Sequence, residues 1–267
     1  MARPLRSVLL LVAVCLLPAT VACAEEPPPP PVTTTITPSP GPTLPPPGVD
    51  CPDEAAKGVS VRLTNGAGHS IAAVDLGLGS SGVVLAHQSQ GSLCEWLPYG
   101  EVLAAKGFRV LAFDFAGSGS STVPEQKTYV EDVRAAVTFL REQGVKKIVI
   151  MGASMGATMS VVAAAAIAPP VDGVIALSPP VTFEGVNAER AAPSLRTPAL
   201  YIAGDTDGDY ATYAEALYGA TPADFRQEHI VTTAQHGIRL IDAEVQATVE
   251  VRNAVEQFLY KNAPLSD

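Results

Sequence analysis

The chain has 267 residues, a formal net charge of −10, 47% hydrophobic residues and only 16% charged ones. That composition excludes a disordered chain and allows one large buried core. The acidic balance excludes nucleic acid and other polyanions as partners.

Residues 1–24 read as an export signal. Arg3 and Arg6 make a positive start, and Ser7 to Leu17 (SVLLLVAVCLL) is an apolar run ended by Pro18. Such a run is too short to span a bilayer as a permanent helix. Two processing routes compete. Ala22-Cys23-Ala24 fits cleavage after Ala24. Thr20-Val21-Ala22-Cys23 resembles a bacterial lipobox, with Thr20 where leucine is usual, and would leave a lipidated Cys23 at the new N-terminus. The long polar tether that follows favours the lipoprotein route. The expected location is therefore outside the cell, as a surface lipoprotein or a secreted protein, with membrane attachment through Cys23 in the first case.

Residues 25–49 form a Pro/Thr-rich linker. Between Pro27 and Pro47, 11 of 21 residues are proline. That density favours extended polyproline II and cannot build a core. The tract reads equally as a stalk or as a plain linker. Residues 50–267 then make one domain of suitable length, expected to be monomeric. Its two cysteines, Cys51 and Cys94, read as a disulfide in an exported protein. No Cys/His cluster has zinc spacing, so neither metal nor cofactor is expected.

From Gly58 onward strand-like and helix-like runs alternate. Residues 58–65 and 70–76 read as an antiparallel hairpin. The apolar runs 82–86, 109–113, 147–151, 173–177 and 199–203 read as strands buried on both faces, and 228–232 as a weaker last strand. Helical patterns cover 99–106, 128–143, 155–168, 210–218 and 243–262. The alternation implies a mostly parallel central sheet with helices on both faces, and an antiparallel N-terminal hairpin at one edge.

The strongest chemical signal is Gly152-Ala153-Ser154-Met155-Gly156, between the strand at 147–151 and the helical run after it. A serine on a sharp strand-to-helix turn is lifted above the sheet, and small neighbours let the chains pass closely. From here the chain resembles the α/β-hydrolase family, from about Gly58 to the C-terminus. The resemblance implies that fold and a nucleophile–acid–histidine order along the chain. Ser154 takes the nucleophile's place, Asp207 that of the acid in Gly204-Asp205-Thr206-Asp207, and His236 that of the base. Asp205 and Asp209 are rivals for the acid.

In the family, a His-Gly-x loop after a central strand supplies one backbone N–H to an oxyanion hole, beside the N–H after the nucleophile. These map onto Ser89 and Met155. Gln88 stands where the glycine is usual, which makes Gln88 the other candidate donor. His87 reads as a structural loop residue, and Trp96 as packing or as a wall of the site. About twenty residues separate Leu177 from Ala199, where relatives insert a lid, so the enzyme reads as nearly lidless. The implied activity is carboxylic ester hydrolysis through an acyl-enzyme, on a small or surface-attached ester. Acyl transfer with the same triad and a non-catalytic surface binding role are the alternatives.

Overall fold

Strands that are apolar on both faces need cover above and below, and the chain supplies it by alternating them with helices. The structure, a computed structural model, describes residues 43–265; the segment 1–24 expected to be an export signal, Cys23 and most of the proline tract lie outside them. In chain order the elements are α1 (Pro52–Ala55), β1 (Val59–Thr64), β2 (Ser70–Leu76), β3 (Ser81–Ala86), α2 (Leu97–Ala105), β4 (Arg109–Phe113), α3 (Tyr129–Glu142), β5 (Lys147–Ala153), α4 (Met155–Ala166) and β6 (Gly173–Leu177). There follow β7 (Thr182–Phe183), β8 (Val186–Asn187), α5 (Ala188–Ala191), β9 (Ala199–Gly204), α6 (Tyr210–Ala220), β10 (Arg226–Val231), α7 (Arg239–Asp242) and α8 (Gln246–Asn262).

The main sheet runs β1-β2-β4-β3-β5-β6-β9-β10. Pairs β1/β2 and β2/β4 are antiparallel, and all the others are parallel. Val84 of β3 lies level with Leu111 of β4 and Ile150 of β5. One face of the sheet packs with α3, α4 and α6 through Leu111, Leu140, Met159 and Leu217. The other packs with α2 and α8 through Leu85, Leu103, Val251 and Phe258. On α3 the buried positions Tyr129, Val133, Ala136, Val137 and Leu140 form one stripe, the pattern of a helix with a single apolar face. Helix α4 is instead buried along most of its length.

The strand order reverses at β3, which has β4 on one side and β5 on the other. Crevices of doubly wound sheets open at the carboxyl ends of strands at such a switch. The site lies there.

The connection from β6 to β9 holds only the β7–β8 hairpin, α5 and a 3₁₀ turn, so the lid is minimal. These small elements, α1 and α7 were not anticipated, because four residues or fewer carry no readable period. The last strand begins two residues earlier than its apolar run, and the last helix starts at Gln246, after a bend at 243–245 that follows α7.

Cys51 and Cys94 form a disulfide with Cα atoms 5.8 Å apart, joining the start of the domain to the turn before α2. The final linker residues already lie on the body. The carbonyl of Pro46 accepts from Ser120 Oγ at 2.8 Å, and that of Pro45 accepts from Arg62.

Candidate active site

Ser154 joins β5 to α4 with φ 49° and ψ −116°, a left-handed conformation that costs a non-glycine residue roughly 1–3 kcal/mol. Its N–H donates to Leu177 O at 2.8 Å, which pins the turn to β6. The flanking glycines are required by close approach. A Cβ on Gly156 would meet Ala86 O at 2.2 Å, and one on Gly152 would meet Gly156 O at 2.3 Å. The packing that admits no side chain on either flank thus holds the serine at the head of the sheet.

His236 follows β10, and Asp207 sits in the turn after β9. The histidine Nδ1 lies 2.8 Å from Asp207 Oδ2 and 3.1 Å from Oδ1. A carboxylate accepts, so Nδ1 carries the proton and Nε2 keeps its lone pair. Asp207 is buried, whereas Asp205 and Asp209 are exposed. Asp205 accepts from the Thr233 N–H at 3.0 Å, a turn role. Asp207 is therefore the one acid of the three that meets the histidine. His236 itself is 32% exposed, leaving the site open to solvent. Among the described residues Ser154 Oγ makes no hydrogen bond to His236; such contacts commonly tighten only around substrate.

The loop after β3 is built differently. His87 is fully buried. Its Nδ1–H donates to Gln88 O at 2.7 Å and its Nε2 accepts from Phe115 N–H at 3.0 Å. Burial pushes its pKa down to about 4, so it stays neutral and braces the loop. The Gln88 N–H donates to Glu95 Oε1 at 2.8 Å. That bond occupies the Gln88 N–H, one of the two candidate oxyanion donors of this loop. Burial pushes the Glu95 carboxyl up to about 7, against the Gln88 N–H and helped by the charge of Asp242. Ser89 is exposed. Neither its N–H nor that of Met155, the first residue of α4, has a protein partner among the described residues. Met155 N–H also sits at the positive end of a helix dipole. Trp96 is fully buried, so it packs the core and does not wall the site.

A family model described as the alpha/beta hydrolase fold matches residues 83–235. The chain belongs to the α/β-hydrolase fold family. An esterase of Pyrococcus furiosus is similar in structure, with a TM-score of 0.65 at 20% identity, covering 79% of this chain and 94% of that one. A thermophilic esterase of Thermogutta terrifontis aligns with a TM-score of 0.63 at 18% identity over 75% and 99% of the two chains. A monoacylglycerol lipase of Paleococcus ferrophilus gives 0.61 at 18% identity over 72% and 99%. No curated protein sequence matches the chain significantly.

Two side chains of this α/β-hydrolase touch the acid–histidine pair without having been singled out in the sequence. Ser178, directly after β6, donates from Oγ to Asp207 Oδ2 at 2.7 Å. Tyr210, three residues after Asp207 on the first turn of α6, has its ring 4.3 Å from that of His236. Burial and the charge of Asp207 raise the Tyr210 phenol above its ordinary range, with the Ser154 hydroxyl acting in the opposite sense. Position at the end of a central strand was the available signal for Ser178, and helical register after the acid for Tyr210. Among the described residues no group of three or more His, Cys, Asp or Glu could hold a metal ion.

Proposed function

We propose that the protein is an exported serine hydrolase that cleaves carboxylic esters through an acyl-enzyme on Ser154. The observation that carries this reading is the pairing of His236 Nδ1 with the buried Asp207 carboxylate, which fixes the imidazole tautomer a general base needs. In the reaction, Ser154 Oγ attacks the ester carbonyl carbon as His236 Nε2 takes its proton. The tetrahedral oxyanion is received by the N–H groups of Met155 and Ser89. Such donors contribute about 3–4 kcal/mol each when aimed at the developing charge.

Collapse of the tetrahedral species breaks the bond to the alcohol, which leaves with the proton from His236. Water then attacks the acyl-enzyme, with His236 again as base, and releases the carboxylic acid and free Ser154. The names of the structural neighbours, two esterases and a monoacylglycerol lipase, support ester chemistry. The minimal cap between β6 and β9 and the partial exposure of His236 favour short acyl chains, or esters carried on bulky molecules and surfaces. The proposed location, outside the cell on a lipidated Cys23 or free after cleavage at Ala24, rests on the signal and tether sequences.

The test is hydrolysis of p-nitrophenyl acyl esters of graded chain length by residues 43–267 and by Ser154→Ala. Turnover of short esters that the substitution abolishes is the expected result. A folded wild type inert on every chain length would overturn the ester reading and favour the non-catalytic binding role.

A further inference from the structure

Ser178 is fully buried, yet its backbone has φ 45°, a region where glycine sits without strain and other residues do not. A side chain in that conformation needs a compensating task, and both the N–H and the hydroxyl of Ser178 have one. Its N–H donates to Ile202 O at 2.7 Å, tying the end of β6 to β9. Its hydroxyl donates to Asp207 Oδ2 at 2.7 Å and accepts from Gly237 N–H at 3.0 Å. Its neighbour Leu177 supplies the carbonyl that receives Ser154 N–H. One strand end therefore touches the nucleophile's backbone, the acid's carboxylate and the backbone beside the histidine.

We infer that Ser178 is a positioning residue of the acid–histidine pair. The inference rests on the serine-hydrolase reading above. Oδ2 of Asp207, the oxygen nearer His236 Nδ1, is the atom that receives the Ser178 proton. Two donors on one oxygen fix the carboxylate's rotation about its Cβ–Cγ bond and hold its charge toward the imidazole. The same hydroxyl, accepting from Gly237, fixes the backbone next to His236. Without it the buried carboxylate keeps His236 as its one side-chain partner and gains a torsional freedom. The imidazolium formed during attack is then stabilised less well, while substrate binding, which Ser178 does not touch, is unaffected.

The experiment compares Ser178→Gly, Ser178→Ala and Ser178→Cys with the wild type. It records kcat, KM, melting temperature and the downfield proton resonance of His236 Nδ1–H, assigned by its loss in His236→Gln. Glycine removes the hydroxyl and relieves the backbone, alanine removes the hydroxyl alone, and cysteine keeps a weak donor. The expected result is a fall in kcat of about tenfold in both Gly and Ala variants, the size of one lost hydrogen bond to a charge, with KM within about twofold. The cysteine variant falls between, and the resonance shifts or broadens in step with kcat. A kcat that recovers in the glycine variant, or that tracks only the loss of melting temperature with the resonance unmoved, would overturn the inference. The resonance needs no substrate. A wild type inert on esters would therefore defeat the esterase reading while leaving the positioning role to be judged on the spectrum.

Discussion

The two sides of the site are held by opposite means. On one, Asp207, His236 and Ser178 meet through side-chain hydrogen bonds of 2.7–3.1 Å. On the other, the loop 87–89 offers backbone groups, and side chains serve only to brace it: His87 between Gln88 and Phe115, Glu95 beneath Gln88 N–H. The first side depends on residue identity. The second depends on loop shape and should tolerate changes that keep the shape. On that side burial lowers the His87 pKa to about 4 and pushes the Glu95 carboxyl up to about 7.

The largest expected effect breaks the first side alone. His236→Gln or Asp207→Asn should lower kcat by about 10⁴-fold, with unchanged melting behaviour as the control. A loss below a hundredfold in ester turnover would place the base elsewhere.

Next comes the disulfide that anchors the turn carrying Glu95. Cys51 and Cys94 close a loop of sequence separation 43, for which the chain-entropy model gives about 3–4 kcal/mol. Urea unfolding of the Cys51→Ser/Cys94→Ser protein should show that deficit, together with a larger loss of kcat than a matched destabilisation elsewhere. Equal activity loss for equal destabilisation would mean that the anchor does not reach the loop.

Glu95 gives a pH signature. Its folded carboxyl titrates at about 7, above the ordinary 4.5, so on raising the pH the unfolded chain releases this proton first. Its contribution is fully present below about 4.5 and is lost as pH rises through about 7. Glu95→Gln should therefore gain about 3 kcal/mol on the wild type as the pH rises from about 4.5 to about 7. His87 acts in the opposite sense: its folded value of about 4 lies below the ordinary 6.5, so its contribution is lost as pH falls through that interval. Denaturant titrations of the Glu95→Gln/wild-type pair isolate the first slope; parallel curves would refute it.

The smallest effect is Tyr210→Phe. It keeps the ring against His236 and removes the phenol near Ser154, so kcat should change by about threefold or less, whereas Tyr210→Ala should cost more. Steady-state kinetics on one short ester separates the two.

These contrasts also explain what the sequence could and could not reveal. Strand–turn–helix around Ser154 was readable because glycines at 152 and 156 are demanded by approaches that no Cβ survives. Asp207 and His236 were readable as residue types at strand ends, although choosing Asp207 over Asp205 needed the hydrogen bonds. The partner of the Gln88 N–H was not readable, because a backbone N–H has no signature in sequence. Only the fold brings Glu95, seven residues away, beneath it. Ser178 escaped for a similar reason: a serine before two prolines reads as a loop residue, and its φ of 45° and contact with Asp207 are products of the sheet's register.

The central claim is that Ser154 is the nucleophile activated by His236, and covalent trapping tests it most directly. The wild type and His236→Gln would be incubated with an alkyl fluorophosphonate, and the modified peptide located by mass spectrometry. The account predicts one adduct on Ser154, formed rapidly in the wild type and at least about a hundredfold more slowly in the variant. An adduct on another residue, or equal labelling rates in the two proteins, would contradict it.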